Sequence, residues 1–251
     1  MSYVTSVQPN GTPTWIDLGI PDLERAKGFY GALFGWEFTS AGAEAGHYTT
    51  ALLDGRRVAA LAPNEGETEF WWNVYFAVDD CDSVVKSVVG SGGRVTVEPM
   101  DVMTEGRMAL AIDPTGAPFG LWQGRDHIGC EVVNEPNSLV RNDLVTPEAV
   151  PAREFYASVF GFTVDRNEDV PDLDFTFLRR PDGHEVGGIF GNPGASRSRW
   201  ETTFEVADTD AAVARAVAGG GQAGEASDMV YGRIATITDP FRTEFSVITR
   251  A

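Results

Sequence analysis

The chain has 251 residues, 43% of them hydrophobic and 22% charged, a composition that suits a globular protein with a sizeable core and excludes a disordered or fibrous one. Thirty-seven acidic against nineteen basic residues give a formal charge of −18, which argues against nucleic acid or an anionic membrane as a partner. There is no apolar run of ~18 residues to span a membrane, and MSYVTSVQPNGTPTW lacks the basic and apolar regions of a leader, so a cytoplasmic location is expected.

In chain order, Ile16, Leu18 and Ile20 alternate with Trp15, Asp17 and Gly19, the period of a half-buried strand. Pro21-Asp22 ends it and opens a helix with Asp22 at the N-cap. Leu23, Ala26, Phe29, Tyr30, Leu33 and Phe34 then supply one apolar face, and Gly35 stops the helix. Strands are predicted over His47–Leu53 and Arg57–Leu61, joined by the hairpin signal Asp54-Gly55. Asn73–Val78 begins a second unit of the same plan, with a helix through Val84, Val85, Val88 and Val89. GRMALAIDPTGAPFGLWQ follows as two strands around an Asp-Pro-Thr-Gly turn.

The plan then repeats. AREFYASVFGF echoes AKGFYGALFGW, Asp182-Gly183 echoes Asp54-Gly55, and GRIATITDPFRTEFSVIT echoes GRMALAIDPTGAPFGLWQ. Four βαβββ units are predicted over about 13–63, 70–124, 138–191 and 199–250. They imply an α+β fold of two tandem modules, 1–124 and 138–251, with helices outside each curled sheet. The polar, aperiodic stretch 125–137 is read as the linker. Cys81 and Cys130 stand alone, without metal or redox spacing, and read as inert thiols.

Paired βαβββ units carrying DLERAKGFYGALFGW and VDD…GG…GRMA…DPTGAPFGLWQ resemble the vicinal-oxygen-chelate superfamily. Its members include glyoxalase I, extradiol dioxygenases and bleomycin-resistance-type drug-binding proteins. Within it, the chain is similar to the two-module actinobacterial glyoxalase-like proteins labelled hydroxylase or antigen. The resemblance covers nearly the whole chain, and it implies a ligand cleft on the inner face of each module. In metal-dependent members His, Gln or Glu ligands stand on the cleft floor. The positions aligned to them hold Trp15, Asn73 and Gly120 in module one and Arg141, Glu201 and Ser246 in module two. Only Glu201 is a conventional ligand, and the three histidines cannot meet in one cleft, so neither a metal nor another cofactor is expected.

By alternation Trp15, Asp17, Asn73, Tyr75, Gly120 and Trp122 face the first cleft, with Met108 beside them, a wall suited to a flat hydrophobic ligand. Trp15, Asn73, Tyr75, Met108, Trp122, Arg141, Asp143 and Arg233 are the candidate ligand-binding residues. Asp17, His47, Tyr48 and Glu201 are the candidate acid–base groups. The second cleft, with Arg141, Asp143, Glu201 and Thr203, is the more polar, and either a ligand site or a plain ion-pair network fits it. The favoured function is metal-free binding of a hydrophobic, aromatic small molecule for sequestration or resistance, by a monomer or homodimer. The alternatives are a cofactor-independent cyclase, lyase or isomerase of secondary metabolism, and last a metal-dependent glyoxalase-like lyase.

Overall fold

A computed structural model describes residues 3–168 and 170–251. The first two units build one sheet. β1 (Pro13–Ile20), α1 (Leu23–Phe34), β2 (Glu37–Ser40), β3 (Thr49–Leu53) and β4 (Arg56–Pro63) form the first. β5 (Trp72–Ala77), α2 (Cys81–Gly90), β6 (Arg94–Val102), β7 (Gly106–Ile112) and β8 (Pro118–Gly124) form the second. The strand order is β2-β3-β4-β1-β5-β8-β7-β6, so the first strand of each unit lies at the sheet centre.

The second sheet repeats this order. β9 (Leu139–Thr146), α3 (Ala149–Phe160), β10 (Thr163–Arg166), β11 (Phe175–Arg179) and β12 (Glu185–Gly191) make the third unit. β13 (Arg199–Glu205), α4 (Thr209–Ala218), β14 (Gln222–Ala223), β15 (Ser227–Met229), β16 (Gly232–Thr238) and β17 (Glu244–Arg250) make the fourth. The order is β10-β11-β12-β9-β13-β17-β16-β14, with β15 beside β16. Two short strands thus stand where β6 runs unbroken in module one.

The helix signals act as read. Asp22 accepts from Arg25 N–H at 3.0 Å, and Gly35 takes the left-handed conformation at φ 72° that closes α1. In the equivalent α3 the Glu148 side chain makes no cap bond; instead the Thr146 hydroxyl accepts from Glu148 N–H at 3.0 Å. One predicted strand is shorter, because His47 turns the chain at φ 59° and β3 begins at Thr49.

The helices do lie outside each curl, and the apolar sides of α1 and α3 fill the space between the two sheets, while Val89 of α2 and Val217 of α4 are exposed. Tyr30 of α1 meets Trp72 of the first sheet at 5.3 Å and Phe245 of the second at 5.9 Å. Tyr156 of α3 does the mirror-image job, 6.2 Å from Phe76 and 5.2 Å from Trp200. Tyr30, Phe34, Phe76, Tyr156 and Phe204 are all fully buried there, each worth roughly 1.5–3 kcal/mol of burial. The linker is packed rather than loose, with Cys130 N–H donating to Thr14 O at 2.7 Å and Cys130 and Val132 buried. No helix among the described residues is long and apolar enough to cross a membrane.

Candidate functional site

Strand alternation puts Trp15, Asp17, Asn73 and Tyr75 on the inner face of the first sheet, where they close upon each other. The Asp17 carboxylate accepts from Asn73 Nδ2 at 2.9 Å, Tyr75 OH at 3.0 Å and Tyr48 OH at 3.1 Å. Tyr48 in turn accepts from Trp15 Nε1 at 2.8 Å. His127 of the linker fills what remains, edge-on to Trp15 at 4.2 Å between ring centroids and 5.2 Å from Trp122. Trp122 Nε1 donates to His127 O at 2.8 Å. Trp15, Asp17, Tyr75 and Trp122 are all buried. Burial raises the Asp17 pKa against its three hydrogen bonds, and lifts the Tyr48 and Tyr75 hydroxyls well above their usual value.

The second sheet keeps its inner face open. A cavity of about 1010 Å³ is bounded by β9, β11, β12, β13, β16 and β17, with Gln8 and Thr12 of the first module and Cys130 of the linker also lining it. Strand register explains the difference. Trp15 lies opposite Tyr75, as Arg141 lies opposite Thr203; Tyr75 lies beside Gly120, as Thr203 lies beside Ser246. Trp122 holds the place of Ile248. Three large rings in module one thus correspond to an arginine, a threonine and an isoleucine in module two. The Tyr75 ring fits only because Gly120 has no side chain, since a Cβ there would stand 2.1 Å from it.

One wall of the cavity is a charged and aromatic cluster. Arg141 Nε donates to both oxygens of Asp143 at 2.8 Å, and Nη1 to Glu185 Oε1 at 2.5 Å. Arg179 Nη2 lies 3.1 Å from Glu185 Oε2. The Arg141 guanidinium carbon sits 5.6 Å from the ring centroids of both Phe175 and Phe177, within cation–π range. Burial drives the Asp143 carboxyl upward, against the pull of Arg141. Val170, Leu173 and Val186 add apolar lining, and the exposed Met229, Tyr231 and His184 also line the cavity.

Of the expected residues, Arg141 and Asp143 line the cavity. Trp15, Asp17, Tyr48, Asn73, Tyr75 and Trp122 come together, but around a carboxylate rather than around an open volume. Met108 is half-buried, paired across the strands with Trp122. His47 is exposed on its turn and belongs to neither group, because β3 starts two residues later. Glu201 turns to Arg199 at 2.8 Å, and Arg233 is held outside by Asp210 and Asp228 at 2.9 and 3.0 Å. Phe175, Phe177, Arg179, Glu185 and the plug His127 were not among the candidates. The alternation in Phe-Thr-Phe-Leu-Arg carried the signal for the first three, as the unit repeat aligns Phe175 with Tyr48. His127 sits in a stretch with no period to read.

The Glyoxalase/Bleomycin resistance protein/Dioxygenase superfamily model matches residues 12–121 and 127–247. CFP32 of Mycobacterium tuberculosis, a glyoxylase by name, is 41% identical over 96% of this chain and 95% of its own. The anthracycline biosynthesis protein DnrV of Streptomyces peucetius is 38% identical over 95% of this chain and 93% of its own. Among solved structures, the Mn(II)-bound glyoxalase from Novosphingobium aromaticivorans aligns with a TM-score of 0.68 at 18% identity, over 95% of this chain and 83% of that one. The catechol dioxygenase BphC aligns at 0.66 and 14% identity, over 96% and 87%. These two likenesses carry the fold.

A divalent ion of the kind that neighbour holds does not suit the donors here. Among the described residues no three His, Cys, Asp or Glu side chains stand close enough to share a metal. Asp143 and Glu185, the carboxylates facing the cavity, are already bound by guanidinium groups, and Asp17 is enclosed by amide and phenol donors.

Proposed function

The chain belongs to the Glyoxalase/Bleomycin resistance protein/Dioxygenase superfamily, and from that premise we propose that it binds a polycyclic aromatic small molecule, without a metal, in the cavity of its second module. The observation that carries this reading is the cavity wall itself: Phe175 and Phe177 interleaved with Arg141 and Arg179, beside a volume of about 1010 Å³. Rings and guanidinium planes offer flat surfaces to a flat ligand, and the volume matches a drug-sized molecule. The likeness to a protein named for anthracycline biosynthesis supports a fused-ring ligand of secondary metabolism, held for sequestration, resistance or delivery.

Calorimetric titration with a dihydroxyanthraquinone, in the presence of a chelator, tests the proposal. The expected result is saturable binding that the chelator leaves intact, weakened about tenfold or more by Phe177→Ala and by Arg141→Met. Binding that vanishes with the chelator, or ignores both substitutions, refutes it.

A second reading, cofactor-independent tailoring of such a ligand, is favoured by one observation: a carboxyl with an upward-shifted pKa, Asp143, faces the cavity. It shifts the acid–base role away from Asp17, Tyr48, His47 and Glu201, none of which lines that cavity. Chromatography of the incubated ligand decides it: a product that Asp143→Asn abolishes supports catalysis, and unchanged ligand opposes it.

A further inference from the structure

The charged side chains of the cavity wall have opposite charges against them. Asp143 is taken by Arg141, and Glu185 lies between Arg141 and Arg179. Arg179 also holds Asp165 at 2.8 Å on the outer side, and Arg250 at the cavity edge is paired with Glu205. Around the Phe175–Phe177 platform two guanidiniums therefore stand against two carboxylates, all four only partly exposed. Among the described residues lining the cavity, no carboxylate is left over for a ligand ammonium and no guanidinium is left without a carboxylate partner. An ionised ligand buried here would have to break one of these pairs and leave a charge uncompensated in a half-buried site.

What the wall does leave over is a neutral hydrogen-bond opportunity. Arg141 Nη2 is sealed from solvent and has no acceptor among the described residues, while the other two nitrogens of the same guanidinium are engaged. A ketone, quinone or phenol oxygen reaches such a donor once the Arg141 side chain turns Nη2 toward the cavity, and it satisfies it without bringing in a charge, where an unmade bond is costly. Val170, Leu173 and Val186 add apolar contacts, and Thr12, Asn142 and Thr203 add uncharged polar ones.

Resting on the reading of this cavity as the ligand site, we infer that it selects uncharged, oxygen-bearing aromatics over ionised congeners of the same scaffold, and that Glu185 and Arg179 set this selectivity from opposite sides. Removing the Glu185 charge strips Arg141 Nη1 and Arg179 Nη2 of the carboxylate they share on the cavity side, leaves each guanidinium only its other partner, Asp143 or Asp165, and admits a carboxylated ligand in its place. Removing the Arg179 charge leaves Glu185 half-paired and admits an ammonium.

Three probes of one scaffold test this by calorimetry at neutral pH: a dihydroxyanthraquinone, an anthraquinone carboxylate and an aminomethyl-anthraquinone. The native protein is expected to bind the neutral probe at least about tenfold more tightly than either ion. Glu185→Gln raises the carboxylate-to-neutral affinity ratio about tenfold, and Arg179→Gln raises the ammonium-to-neutral ratio by a similar factor. Circular dichroism establishes that both variants are folded, and opposite shifts from two single-charge changes cannot come from a general loss of structure. Ionised probes that bind the native protein as well as the neutral one, or variants that move both ratios together, overturn the selectivity while leaving the ligand site standing. Failure of all three probes to bind the native protein overturns the ligand site, and the selectivity with it.

Discussion

His127 sits edge-on to Trp15, in the inner-face volume that module two leaves open. Burial first, and the Arg57 charge second, pull its pKa down to about 3. Gly129 N–H donates to Nδ1, which suits the neutral ring. In the unfolded chain the imidazole takes up its proton near the ordinary value of 6.5, so the unfolded state binds more protons between there and about pH 3. The stability this residue contributes is complete above pH 6.5 and is lost as pH falls to about 3, with a ceiling of roughly 5 kcal/mol. His127→Gln is predicted to flatten that part of the stability curve, followed by urea unfolding at stepped pH; an unaltered slope contradicts it. Tyr48→Phe strips Trp15 Nε1 of its acceptor and Asp17 of one donor, and is expected to cost about 1–3 kcal/mol in the same assay. The members of this cluster on β1 and β5 were legible, because period two fixes which side chains share a face. Their closing on one another was not, since alternation gives a direction and no volume, and the residue that completes the packing comes from an aperiodic linker.

Between elements, the two sheets share one topology and differ in what the inner faces carry. Thr203 occupies the place of Tyr75, and Ile248 that of Trp122, so the open cavity is a consequence of ring volume removed. Thr203→Tyr, borrowing the residue of the first module, is predicted to fill the space and weaken aromatic-ligand binding at least about tenfold. Calorimetry checks it, and unchanged affinity would show that the ligand sits elsewhere. Sequence reasoning found Arg141 and Asp143 on this wall but also put Glu201 and Arg233 there. Both were drawn off by a nearby opposite charge, Arg199 in one case and Asp210 in the other. Such choices depend on side-chain reach and on neighbours distant in sequence. The same limit hid Glu185, which follows a turn and meets Arg141 from 44 residues away.

At the scale of the whole molecule, a helix tyrosine of each module is turned toward an aspartate turn of the other. Tyr30 of α1 donates to Asp239 Oδ2 at 2.9 Å, in the turn between β16 and β17, and the other Asp239 oxygen accepts from the N–H groups of Phe241 and Thr243. Tyr156 of α3 faces Asp113, in the turn between β7 and β8, and accepts from Trp200 Nε1 at 2.9 Å. A double-mutant cycle of Tyr30→Phe and Asp239→Asn is expected to give about 1–2 kcal/mol of coupling in unfolding free energy, whereas additivity would mean that the contact is idle. The repeat that makes this symmetry was plain in FYGALFGW against FYASVFGF and in the two Asp-Pro turns. The crossing over was not, because an amphipathic helix announces one apolar face and says nothing of which sheet covers it.

The most direct test of the central claim is a crystal structure of the protein with a bound dihydroxyanthraquinone. The account predicts ligand density on the inner face of the second sheet, against Phe175 and Phe177, with the first cleft still filled by Trp15, Trp122 and His127. Density in the first cleft, with those rings parted around the ligand, would contradict it.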